Sequence, residues 1–233
     1  MHLILQGIVQ AFELLIHGDP LVYSIALRSL QVSVPSILIA LLIGVPTAAV
    51  VALTSFRGRH LVISLINTGM AWPPVVIGLI VALFLWRSGP LGFLDLIYTV
   101  RAMIIAQVLI ATPIVTGLTL AALQQLDPGY RLQILSFGAG RTRLMLMLVR
   151  EIRVPILAAS MAAFGRIIAE VGAATIVGGN ILGQTQVLTT AIVQRTNEGD
   201  FAGAIALGVI LLLLAFSTNF VMTTIQQRSF WVV

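Results

Sequence analysis

The sequence predicts an all-α membrane protein built on five spanning helices, and three observations carry that prediction. First, the 233-residue chain is 59% hydrophobic and 9% charged, with a mean hydropathy of +1.07, outside the range of soluble domains. Second, apolar stretches long enough to cross a bilayer recur five times. Third, the thirteen basic residues are all arginine, and they gather mainly in the connections. One domain accounts for this length. There are no cysteines, which excludes disulfides and thiolate metal sites. The net charge of +5 is read as orienting a membrane protein. No exposed basic domain is present to bind nucleic acid.

The opening residues 1–18 lack a basic n-region and a small-residue cleavage site, so they do not read as a signal peptide. Gln10 and Glu13 share a helical face, with Leu3, Leu5, Ile8, Phe12 and Leu15 spread around the rest. An amphipathic helix lying at the membrane interface is expected, with a short extra span as the alternative. The membrane-spanning body is expected over 19–228. Its first span covers about 21–53, started by Asp19-Pro20 and long enough to leave Arg28 outside the hydrocarbon. A basic turn with Arg57 and Arg59 follows. The second span, about 60–86, contains Pro73-Pro74, and the third, about 98–123, contains Pro113. A basic loop over 127–153 leads into the fourth span, about 154–177. A polar connection with its own short helix then precedes the fifth span, about 201–225, and a tail over 229–233.

Arginine placement sets the orientation. Arg57, Arg59, Arg131, Arg141, Arg143, Arg150, Arg153 and Arg228 fall on one side, against Arg28, Arg87, Arg101 and Arg195 on the other. The richer side is cytoplasmic by the positive-inside rule. The N-terminus is then outside and the C-terminus inside.

The loop over 127–153 is the largest cytoplasmic connection. Orientation alone accounts for its charge but not its shape. DPGY reads as a turn, QILSFGAG as a short helix ending at Gly138-Ala139-Gly140, and the segment from Arg141 as a helix leading into span four. A short, partly apolar helix held in water needs a partner for its exposed face.

Here the chain resembles the inner-membrane permeases of ATP-driven, binding-protein-dependent importers. Their loop reads E-A-A, three residues, G, then a run ending in I-x-L-P. Leu132, Gln133 and Ile134 stand at the E-A-A positions and Gly138 at the glycine. The Glu and the terminal Pro are absent. Three further stretches carry the likeness. LRSLQVSVPSILIALLIGVPTA at 27–48 resembles the first core helix of these permeases. WPPVVIGL and RSGPLG within 72–92 are similar to the molybdate-type members. FGRIIAEVGAATIVGGNILGQTQVLTTAI at 164–192 resembles the tungstate permeases. The resemblance implies a type I importer fold with a coupling helix, formed by Leu132, Gln133, Ile134, Ser136, Phe137, Gly138, Ala139, Gly140, Arg141 and Arg143. It implies two cytoplasmic ATPase subunits on that loop, holding the ATP and magnesium, and an extracytoplasmic oxyanion-binding protein. The cargo is expected to be tungstate, with molybdate or sulfate as alternatives. The chain itself carries no phosphate-binding loop and no catalytic cluster, so it is expected to be non-enzymatic and without cofactors. His2, His17 and His60 have no metal-ligand spacing.

Within the membrane, Arg166 and Glu170 stand four residues apart in span four. On one helix they share a face, either as a neutralised packing pair or with Glu170 as part of a gate. A lone carboxylate repels a dianion, so Glu170 is not expected to be a cargo ligand. Thr175, Asn180, Gln184, Thr189 and Thr190 are the neutral donors near the outer half. Pro73, Pro74 and Pro113 interrupt backbone bonding, either as kinks beside a path or as simple helix shaping. Gly165, Ala169, Gly172 and Ala173 form a small-residue face. Five helices do not easily enclose an aqueous path, so a homodimer with the path on its two-fold axis is expected. An ion-coupled secondary transporter using Glu170, or a membrane-embedded enzyme, would be the rival classes.

Overall fold

The computed structural model describes residues 2–17 and 19–230. Among them the chain is helical, with no strand. Helix α1 spans His2–His17, α2 Pro20–Leu53, α3 Arg59–Met70 and α4 Pro74–Leu85. A 3-10 turn at Gly92–Leu94 follows, then α5 at Val100–Gln124, α6 at Pro128–Ser136 and α7 at Arg141–Glu151. The remainder is α8 at Arg153–Ile168, α9 at Gly172–Gly178, α10 at Leu188–Asn197 and α11 at Phe201–Phe230.

Helix α2 starts where the Asp19 carboxylate accepts the backbone N–H groups of Leu21 and Val22 at 2.8 and 3.2 Å, with Pro20 in the first turn. Those N–H groups have no partner within the helix. Its 34 residues make a rod of about 51 Å, longer than the roughly 30 Å of hydrocarbon. Helix α5 runs parallel beside it. Ser36 donates to the Ile104 carbonyl, and two turns on Gly44 lies against Val115. Val32, Ile37 and Ala40 of α2 join Met103, Ala106 and Ile110 of α5, with Phe164 and Ile167 of α8, in the main core. A second cluster ties Ala49 and Val51 to Leu120, Ile134, Leu144 and Leu148, so the connecting loop rests on the ends of α2 and α5.

Three spans are single helices, and two are not. The expected span over 60–86 is α3 and α4, bent by 102° at residues 71–73. Pro73 and Pro74 do not kink a helix there; they end one and begin the next, Pro74 standing in the first turn of α4. The expected span over 154–177 is α8 and α9, bent by 61°. Pro113 lies inside an unbroken α5. DPGY is not a free turn either. The Asp127 carboxylate accepts the Gly129 N–H at 2.7 Å and Pro128 opens α6, the same chemistry that starts α2.

Helix α1 lies against α11 through its small residues. Ala11 is fully buried, and a Cβ on Gly7 would meet Ile205 at 2.5 Å. Ile4, Leu5, Val9 and Phe12 are exposed. Helix α11 continues to Phe230, past the expected start of the tail; Gly18 and 231–233 lie outside the described residues.

Candidate functional site

Two regions hold the residues singled out in the sequence: the paired helix breaks and the loop beyond them. The breaks lie halfway along α5. Gly69, just before the first, lies against Pro113, and Ile167, just before the second, receives a hydrogen bond from Gln107. A mid-span break leaves backbone groups that the membrane cannot satisfy, and side chains serve them here. Gln107 is buried and donates to the Ile167 carbonyl at 3.1 Å. The Glu170 carboxylate accepts the Ala173 N–H at the start of α9 at 2.9 Å. Thr189 donates to the Glu170 carbonyl at 2.9 Å.

Arg166 and Glu170 are therefore not an ion pair on one face. Helix α8 ends at Ile168, so the four-residue spacing no longer places them together, and Glu170 is turned to the start of α9 instead. Arg166 occupies the last turn of α8 and is exposed. Its charge suits the negative end of that helix. Glu170 and Thr189 meet here, and the start of α4 after Pro73-Pro74 is packed on α9: Val75 covers Gly172, and Gly78 faces Ala173. Thr175 is exposed on α9 and donates to the Val171 carbonyl of its own helix. Gly165, expected in the small packing face, borders open space.

Asn180 and Thr190 belong to the connection beyond α9. Asn180 takes a left-handed φ of 50° and donates to Gln194 at 2.9 Å. Thr190 caps α10, accepting the Val187 N–H at 3.1 Å. Gln184 is exposed. Arg28, which the sequence placed only for orientation, and Ser29, which it passed over, hold this connection to α2. Arg28 donates to the Gly183 carbonyl at 2.8 Å, and the buried Ser29 hydroxyl accepts the Leu188 N–H at 2.9 Å. Gln107 was also missed, although a lone glutamine within an apolar span is the visible signal for it.

The loop is built from α6 and α7. Gly138 ends α6 with φ +75°, a conformation that favours glycine, and Gly140 precedes α7. Ile134 is buried, whereas Leu132 is 67% and Phe137 82% exposed. Gln133, Ser136 and Arg143 are exposed beside them and Ala139 is half-buried. Tyr130, Gln133, Phe137 and Met147 border a groove of about 340 Å³.

The Tyr130 hydroxyl donates to the Glu151 carboxylate at 3.1 Å and ties the start of α6 to the end of α7. That hydrogen bond raises the Tyr130 phenol above its ordinary value, and burial and the carboxylate charge add to it. The protonated phenol is the bonded form, so this stabilisation is complete below about pH 10 and is lost as pH rises through the raised value. Glu151→Gln is expected to return the Tyr130 phenol toward about 10. Tyrosinate absorbance, compared between the wild type and Tyr130→Phe, checks this.

The described helices thus combine two broken spans with a helical loop that bares Leu132 and Phe137, and the class of protein that this arrangement serves is given by its likeness to known chains. The family described as the binding-protein-dependent transport system inner membrane component matches residues 40–230, and this chain belongs to it. The chain is 38% identical over 228 residues to the tungstate uptake system permease protein TupB of Peptoclostridium acidaminophilum, covering 98% of this chain and 100% of that one. It is 38% identical to the TupB of Campylobacter jejuni, over 94% and 91% of the two chains. It is 39% identical to a probable anion ABC transporter permease protein of Haloferax volcanii, over 88% and 91%. This is accordingly a multi-pass membrane protein of an ABC import system.

Proposed function

We propose that this chain is the permease subunit of a tungstate importer, working as a homodimer with its path on the two-fold axis. The observation that carries the cargo assignment is the likeness to tungstate permeases over nearly the whole chain. Two ATPase subunits dock on the exposed face of α6 and the adjoining groove, and an extracytoplasmic binding protein delivers the oxyanion at the opposite side. The arginine-rich side is cytoplasmic, which puts the N-terminus outside. The chain is non-catalytic, and the ATP and magnesium belong to the ATPase subunits. Nucleotide binding and release switch the dimer between inward-open and outward-open states.

The exposed stripe of α8 supports a path there. Pro155, Ala158, Ala162 and Arg166 follow one another at helical spacing, with Ala169 just past the end of α8, and all are exposed. They are small except for one cation, unlike the bulky exposed Leu79, Leu83 and Phe84 of α4, which suit lipid. A bare guanidinium at that depth is costly against hydrocarbon. In a wet path it attracts a dianion, and the Glu170 carboxylate, held on the Ala173 N–H of α9, is kept from opposing it. The gate is the α4–α9 contact with Pro73, Pro74, Glu170 and Thr175. Asn180, Thr189 and Thr190 support its outer side.

The test is ATP-driven uptake of tungstate by the reconstituted complex, with molybdate and sulfate as competitors. Tungstate uptake that needs ATP and the binding protein supports the assignment; preferential uptake of molybdate or sulfate replaces the cargo. Glu170→Gln is expected to keep the ATP requirement and to lower stability by about 1 kcal/mol or less, because the amide oxygen still accepts from Ala173. Uptake driven by a pH gradient without ATP, and lost in that variant, would instead make the chain an ion-coupled carrier.

A further inference from the structure

We propose that a cavity between the end of α2 and the α6–α7 loop holds the headgroup of an anionic phospholipid. The cavity has a volume of about 390 Å³, within the roughly 300–1,000 Å³ of small-ligand sites. Its polar lining is Arg131, Arg141, Thr54 and Ser55, and its apolar floor takes in the buried Leu144 with the half-buried Leu53 and Met145. Thr54 spends its hydroxyl proton on the Val50 carbonyl, which leaves the two guanidinium groups and Ser55 as the donors.

Among the described residues no acid neutralises the two arginines. Between residues 124 and 153 the only acids are Asp127 and Glu151. Asp127 caps α6 and Glu151 accepts the Tyr130 hydroxyl. Arg131 and Arg141 form no hydrogen bond or ion pair with the described residues. Two unpaired cations over an apolar floor match an amphiphile with a negative head. An inorganic oxyanion has no use for that floor. The floor includes the last turn of a spanning helix, which places the cavity where headgroups lie. Phe137 and Leu132, the bare apolar residues of the loop, do not line it. The proposal rests on the permease reading only in setting the chain in a bilayer.

The experiment measures bound phosphatidylglycerol by native mass spectrometry of the chain purified from phosphatidylcholine vesicles containing phosphatidylglycerol. Arg131→Gln/Arg141→Gln is compared with Arg57→Gln, which removes the same kind of charge on the same side but outside the cavity. The wild type and Arg57→Gln are expected to retain phosphatidylglycerol. The double variant should bind it about 30-fold more weakly, as two juxtamembrane cations imply. Equal retention by the double variant overturns the proposal, as does equal binding of phosphatidylcholine. Displacement of the lipid by inorganic phosphate would assign the cavity to a free anion and overturn it too. If the double variant keeps its lipid but loses a co-purifying ATPase, the arginines belong to the docking face and the lipid site fails. ATPase co-purification with the wild type tests the permease reading separately.

Discussion

Phe137→Glu is expected to strip the ATPase subunit from the permease while leaving the permease folded. The side chain is 82% exposed at the end of α6, so little internal packing is lost when it changes. An apolar ring standing in water beside a groove is the kind of anchor that dominates a protein contact, and loss of one such anchor costs about 2 kcal/mol or more, roughly 30-fold in affinity. Co-purification of the ATPase from native membranes, and ATP hydrolysis coupled to uptake, both measure it. Ile134→Ala is the counterpart. Ile134 is buried against Ala49, Leu120 and Leu148, so this variant should lose about 2–5 kcal/mol of stability without a direct effect on the docking face. Unchanged ATPase retention in Phe137→Glu would remove α6 from the coupling surface.

Gly78→Leu is expected to be the most damaging change within the membrane. A Cβ at Gly78 would stand 2.6 Å from the Ala173 Cα and 3.0 Å from its Cβ. The obstacle is largely backbone, so no rotamer relieves it, and α4 and α9 must separate. Overpacking costs about 1–3 kcal/mol, and a leucine here belongs at the top of that range. The displacement falls on the α4–α9 contact, so uptake should fall with the melting midpoint. Gly165→Ala provides the contrast. It meets no atom within 4 Å and sits inside α8, where exchanging glycine for alanine gains up to about 1 kcal/mol. Thermal melts of the two variants in one detergent decide the matter; a tolerated leucine at 78 would mean that α4 and α9 are not held in contact.

Much of the fold was legible because hydropathy and charge act over long stretches. Three spans and the basic loop follow from those alone. The breaks were not legible in the same way. Pro73-Pro74 marks the place where α3 ends, but nothing in a proline pair specifies a 102° turn. The second break has no proline at all. It rests on Glu170 reaching the Ala173 N–H, with Gln107 reaching in from α5, and such long-range hydrogen bonds leave no periodic mark in sequence. The shared face of Arg166 and Glu170, from which both readings of these residues started, assumed a continuous helix, and α8 ends at Ile168. Asp127-Pro128 is a different case. The same two residues that announce α2 at Asp19-Pro20 also start α6, and the reading as a plain turn overlooked that equivalence. Of the site, the loop glycine and the α8–α9 segment were legible through family resemblance, and the roles of Arg28 and Ser29 only through the fold.

The division of one span into α3 and α4 also bears on how the chain enters its membrane during synthesis. Each piece has 12 residues, about 18 Å of helix, against roughly 30 Å of hydrocarbon. Neither piece alone is long enough to cross, whereas α2 and α5, which flank them in the chain, each are. Because α2 and α5 run parallel, the bent pair between them crosses back, and its packing on α5 at Gly69 and Pro113 holds it in place; defects in α5 should surface as mislocated α3 and α4 before they surface as failed transport.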